Sequence, residues 1–202
     1  MPGEDKAPSI ISVRRIARVQ RAVRRAFVSL CCCLLLTACA TAVPPRPSDA
    51  AKTRMISGVP FHPQEDFQCG PSSLATLLNF HGDPVTPEEI EHDIFRSDIR
   101  GTVTLDMGLY PRTRGFVSTF GRSSPEALVR EIDSGHPAVV MVNEGFATIR
   151  KLHYMVVTGY DPEAVVVNSG RHEGMRLAWD DFLSTWEGAD YWMLTISPKD
   201  KG

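Results

Sequence analysis

A chain of 202 residues with 43% hydrophobic and 23% charged side chains and a formal net charge of −2 has the makeup of a globular protein with a real core, not of a disordered, collagenous or disulfide-stapled chain. Its charge is unevenly placed: residues 40–202 hold fifteen Lys/Arg against twenty-two Asp/Glu. A surface with that bias offers no electrostatic footprint for nucleic acid, so no nucleic-acid partner is expected.

The first segment reads as an export signal. Arg14, Arg15, Arg18, Arg21, Arg24 and Arg25 precede an apolar run from Ala26 to Leu36, too short for a permanent membrane span. The run closes on Leu36-Thr37-Ala38-Cys39, which resembles the lipobox of bacterial lipoproteins. That resemblance implies cleavage before Cys39, lipid on its sulfur and a membrane partner through that lipid. It also implies a place in the bacterial cell envelope, and Ala40 after the cysteine points to the outer membrane, facing the periplasm. The expected organisation is therefore a lipoprotein signal peptide over 1–38, a lipidated cysteine and flexible Pro-rich tether over 39–57, one domain over 58–198 and a tail over 199–202.

Within the domain, Cys69-Gly70-Pro71 opens a helix whose Leu74, Leu77 and Leu78 form an apolar stripe ending near His81-Gly82-Asp83. Thr86-Pro87-Glu88-Glu89 starts a second helix through Ile94, with Thr86 as its cap. A third is expected over 104–114, a strand over 116–120, and a fourth helix from Ser124-Pro125-Glu126 to Ser134-Gly135. Val- and Met-rich strands follow at 137–143, 152–160 and 164–168, the last two joined by Tyr160-Asp161-Pro162-Glu163 as a hairpin. A short helix over 180–186 and a strand over 191–197 complete the chain. Helices gathered early and an antiparallel sheet gathered late predict an α+β fold.

Three of the five cysteines lie in the signal and one in the lipobox, which leaves Cys69 alone in the domain. Such a thiol is inert, an intermolecular partner or a reactive group. Its place at a helix start favours the last: the unpaired N–H groups and helix dipole stabilise an anion there, so its pKa is expected to fall. In the predicted hairpin His153 opens one strand and Asn168 closes the next, so their side chains can be neighbours. A cysteine on a helix with a histidine and an amide on adjacent strands supplies a nucleophile, a general base and a group to orient that base. Asp161 is the second candidate orienter, although its turn position suits a structural role. The other histidines, His62, His81, His92, His136 and His172, are scattered singly, so no metal and no cofactor is expected.

Gln64-Glu-Asp-Phe-Gln-Cys69-Gly-Pro, His153-Tyr-Met-Val-Val-Thr-Gly159 and Val165-Val-Val-Asn168-Ser-Gly together resemble the C39-like cysteine peptidases, a branch of the papain-like proteases. The layout is most similar to stand-alone lipoprotein members, which also carry a Phe-x-x-x-Trp segment like Phe182 to Trp186. The resemblance implies a papain-like fold with the nucleophile helix packed on a C-terminal antiparallel sheet. It implies Cys69 as nucleophile, His153 as general base, Asn168 as orienter and Gln64 as oxyanion donor beside the Cys69 N–H. The Gln-to-Cys spacing is one residue shorter than in transporter-linked members, which keeps Gln68 open as the donor. The implied activity is a thiol hydrolase, a peptidase acting on a peptide or protein. Two alternatives share the fold: a peptide-binding or scaffold lipoprotein without turnover, and an acyltransferase.

Overall fold

The computed structural model describes residues 46–64, 68–146 and 148–199. The expected signal peptide, Cys39 and the first part of the tether lie outside them, as do Glu65, Asp66 and Phe67 of the motif before Cys69. The described residues belong to one compact unit. No described helix is long and apolar enough to cross a membrane.

The described residues form five α-helices and seven strands, three of the helices following one another before the second strand. Helix α1 runs over Cys69–Phe80, α2 over Pro87–Ile94, α3 over Thr104–Thr113, α4 over Pro125–Asp133 and α5 over Trp179–Glu187. The strands are β1 (Arg54–Met55), β2 (Phe116–Arg122), β3 (Ala138–Asn143), β4 (Leu152–Tyr160), β5 (Ala164–Ser169), β6 (His172–Ala178) and β7 (Trp192–Pro198). All pairings are antiparallel, in the order β2-β7-β3-β4-β5-β6, with β1 added to the end of β4 beyond the reach of β3.

The fold is α+β, with helices on both faces of the sheet. On one face Leu74, Leu77 and Leu78 of α1 and Ile90 of α2 meet Val139, Met141, Tyr154, Val156 and Leu194. On the other, Leu128 and Ile132 of α4 and Phe182, Leu183 and Trp186 of α5 meet Val140, Val142, Met155, Val157, Val165 and Val167. The alternation along β3 and β4 divides each strand between the two cores, as the period of two requires. Helix α1 is buried from Gly70 to Leu78 because α2 and α3 cover the side that the sheet does not.

Two segments differ from the sequence reading. The tether expected over 39–57 is corrected for its described part. Ser48–Ala51 forms a 3₁₀ turn, Ala50 is buried in the core beside α4, and Arg54 and Met55 pair with Tyr160 and Gly159. Ile56 N–H donates to Thr158 O at 2.9 Å, and the Lys52 ammonium meets the Asp133 carboxylate at 2.8 Å. Two partly apolar stretches docked in register outweigh the Pro-rich composition that read as linker. The second is β6, unpredicted because it is an edge strand none of whose seven residues is buried, five being exposed and two intermediate, so it shows no apolar run.

Candidate active site

Cys69 is the first residue of α1, which starts where Pro71 can occupy the first turn without losing a needed hydrogen bond. The thiol is half-buried and free. Burial raises its pKa, and this outweighs the opposing hydrogen bonds from the backbone N–H groups of Tyr154, Gly70 and Cys69; the Glu144 carboxylate adds to the rise. The expected fall at a helix start is thus corrected: desolvation of the thiolate is larger than what three backbone donors return.

His153 lies at the start of β4, next in chain to the Tyr154 N–H that bonds the thiol. Its pKa is lowered, chiefly by burial; Glu144 pushes it up and Lys151 pushes it down. Burial therefore favours the neutral imidazole, the form able to accept a proton. Glu144 and Lys151 face each other across the β3–β4 hairpin, with Nζ to Oε2 at 2.8 Å, and Glu144 acts on both Cys69 and His153. The two chemistry-bearing residues therefore share one neighbourhood. Among the described residues no hydrogen bond joins them directly, as is common before substrate tightens a site.

Asn168, the expected orienter, has another partner. Asn168 is paired with Val156, three residues along β4 from His153, and its Oδ1 accepts from Gly174 N–H at 2.9 Å. The side chain that meets His153 is Ser169, whose Oγ lies 2.8 Å from Nε2. Sequence reasoning missed it because Asn168-Ser169-Gly170 reads as a turn, and the register at the β5–β6 bulge decides which of its residues is presented. Asp161 takes the structural role: its carboxylate pairs with the Arg176 guanidinium and accepts from the N–H groups of Glu163 and Ala164.

Gln64 and Gln68 are separated by their partners. Gln68 Nε2 donates to the Glu91 carboxylate on α2 at 2.7 Å. Gln64 is buried; its Nε2 donates to Ser73 Oγ at 3.3 Å and its Oε1 accepts from Gly170 N–H at 3.1 Å. A cleft of about 490 Å³ opens beside the thiol, lined by Cys69, residues 99–104, Met141, Leu152 and Tyr154. Among the described residues no group of His, Cys, Asp and Glu side chains is gathered as a metal would require.

The Peptidase_C39 like family model matches residues 56–191, a span that contains Gln64, Cys69, His153, Asn168 and Ser169. The chain belongs to this family. Its fold agrees with solved C39 structures. A candidate C39-like peptidase from Bacillus anthracis has 18% identity and a TM-score of 0.61, covering 74% of this chain and all of its own. The peptidase domain of Streptococcus ComA, a bifunctional ABC transporter of a quorum-sensing pathway, has 21% identity and a TM-score of 0.56, covering 74% of this chain and 99% of its own. A double-glycine-motif protease from an AMS/PCAT transporter, solved with its leader peptide, has 22% identity and a TM-score of 0.57, covering 73% and 99%. At these identities the likeness establishes the papain-like α+β fold of this C39-like chain. No curated protein sequence matches it significantly.

Proposed function

We propose that this C39-like protein is a cysteine peptidase that cleaves peptide bonds through an acyl-thioester on Cys69. The observation that carries the reading is the half-buried thiol at the start of α1, bonded to the backbone N–H of the residue after His153, whose pKa burial lowers. His153 takes the thiol proton as Sγ attacks the scissile carbonyl carbon. The C–N bond then breaks, and the imidazolium returns the proton to the leaving amine. Water, deprotonated by His153, hydrolyses the thioester and restores the thiol.

The backbone N–H of Cys69, at the open end of the helix, faces the developing oxyanion. Gln64 is the side-chain donor that best suits the same task. One of its two amide hydrogens goes to Ser73, whereas the shorter, charge-assisted bond to Glu91 holds Gln68 on α2. The cleft beside Cys69 is the substrate's place: its volume exceeds that of one side chain, and Ile99, Val103, Met141, Leu152 and Tyr154 give it apolar walls. The lipobox-like Leu36-Thr37-Ala38-Cys39 supports anchoring through Cys39 to an envelope membrane, with the domain facing the periplasm.

A second reading, binding without turnover, is favoured by the raised thiol pKa. One experiment separates the two. Wild-type and Cys69→Ala chains are incubated with a complex peptide mixture, and new termini are read by mass spectrometry. The peptidase yields new termini with the wild type only. Termini that persist with Cys69→Ala would falsify the assignment of Cys69, and peptide retention by both chains without new termini would establish the binding reading.

A further inference from the structure

A papain-like site needs its imidazole held so that one ring nitrogen faces the thiol while the other is occupied. In this chain the occupied nitrogen is Nε2, and its partner is a hydroxyl, Ser169 Oγ at 2.8 Å. Ser169 is itself 5% exposed, so water does not compete for that contact. Its position is fixed from both sides. Gln64 N–H donates to Gly170 O at 2.9 Å, Gly170 N–H donates to Gln64 Oε1 at 3.1 Å, and Gln64 Nε2 reaches Ser73 on α1 at 3.3 Å. Gly170 adopts a left-handed φ of 58°, which lets the chain turn immediately after Ser169. The same carboxamide thus ties the Ser169-Gly170 turn to the helix that carries Cys69.

We infer that Ser169 is the positioning residue for His153, held in register with the nucleophile helix by Gln64, so that the site works as Cys69-His153-Ser169, with no carboxylate hydrogen-bonded to the imidazole among the described residues. This rests on the reading of His153 as the general base. A hydroxyl accepts from an N–H and donates to a bare nitrogen. With Nε2–H donating to Ser169, Nδ1 is left bare for the thiol proton, and the imidazolium that follows still has an acceptor at Nε2. What a hydroxyl lacks is charge: the charged groups acting on the ring are then Glu144 and Lys151 of the β3–β4 hairpin, a pair that also interacts with Cys69 of α1.

The test is proton NMR of the imidazole N–H groups in the full-length chain in detergent, with His153 assigned by its loss in His153→Gln. A hydrogen-bonded Nε2–H resonance at low field is expected in the wild type. It should disappear in Ser169→Ala, return in Ser169→Thr and persist in Asn168→Ala. Ser169→Asp should raise the protonation midpoint of His153 by about 1 to 3 pH units, as an adjacent carboxylate does. A wild-type ring protonated on Nδ1 instead, or a resonance indifferent to Ser169 but lost in Asn168→Ala, overturns the inference. Because none of these readouts needs a substrate, the outcomes separate. Cys69-dependent cleavage with a Ser169-independent ring sinks the positioning role alone; a Ser169-dependent ring in a protein without cleavage leaves it standing and sinks the peptidase reading.

Discussion

At Cys69 two effects of opposite sign meet on one sulfur atom. The start of α1 offers backbone N–H groups to a thiolate, and burial withdraws the water that would otherwise solvate it. Burial is the larger, and since it also lowers the pKa of His153 it disfavours a thiolate–imidazolium ion pair in the resting site. Alkylation of Cys69 by iodoacetamide should therefore reach half its maximal rate above the free-cysteine value of about 8.5; a midpoint below that value would contradict the balance. Asp161 carries a second pH dependence. The Arg176 guanidinium and the N–H groups of Glu163 and Ala164 hold its pKa down to about 2. A depressed carboxylate stabilises the fold above its unfolded value of about 3.9, and that stability is lost as the pH falls through about 2. Asp161→Asn should lower the Tm at neutral pH and flatten the acid slope of stability between those limits, as followed by circular dichroism. A residue of this kind was legible in the sequence as structural. Ser169 was not, since a serine between Asn and Gly reads as a turn until the strand register is known.

Among the elements, those with a chemical start signal were legible. Thr86 and Glu89 close a reciprocal pair, with Glu89 N–H donating to Thr86 Oγ1 at 3.2 Å and Thr86 N–H to Glu89 Oε2 at 2.9 Å, and Pro87 occupies the first turn of α2. Thr86→Ala should cost about 1 kcal/mol in urea unfolding, a loss typical of an N-cap. Strands β3, β4 and β5 were legible because both of their faces are buried over most of their length, which favours runs of Val and Met. Strands β1 and β6 were not, being respectively two residues long and an edge largely open to solvent. Close packing between elements leaves no trace in local sequence either. Gly108 in α3 lies against the Phe120 ring of β2 so closely that an added Cβ would overlap it. Although alanine is the better helix former, Gly108→Ala should destabilise the protein, with overpacking costing about 1–3 kcal/mol in the same assay.

In the molecule as a whole, one sheet separates two cores, and the segment before β1 belongs to the second of them. Removing residues up to Ser57 strips Ala50 and Ile56 from that core and breaks the Lys52–Asp133 pair, so the shortened domain should melt at lower temperature than the full chain in calorimetry. An unchanged Tm would restore the tether reading for 46–57. The docked segment also gives the domain a polarity. The Arg46 guanidinium binds Pro162 O, so the described chain enters at the β4–β5 turn, whereas His153 lies at the opposite end of β4. Seven residues of strand lead from His153 to that turn, roughly 23 Å at the usual rise. The thiol and the point where the described chain enters thus mark two opposite poles of the domain, and whatever reaches Cys69 does so at the end remote from that entry.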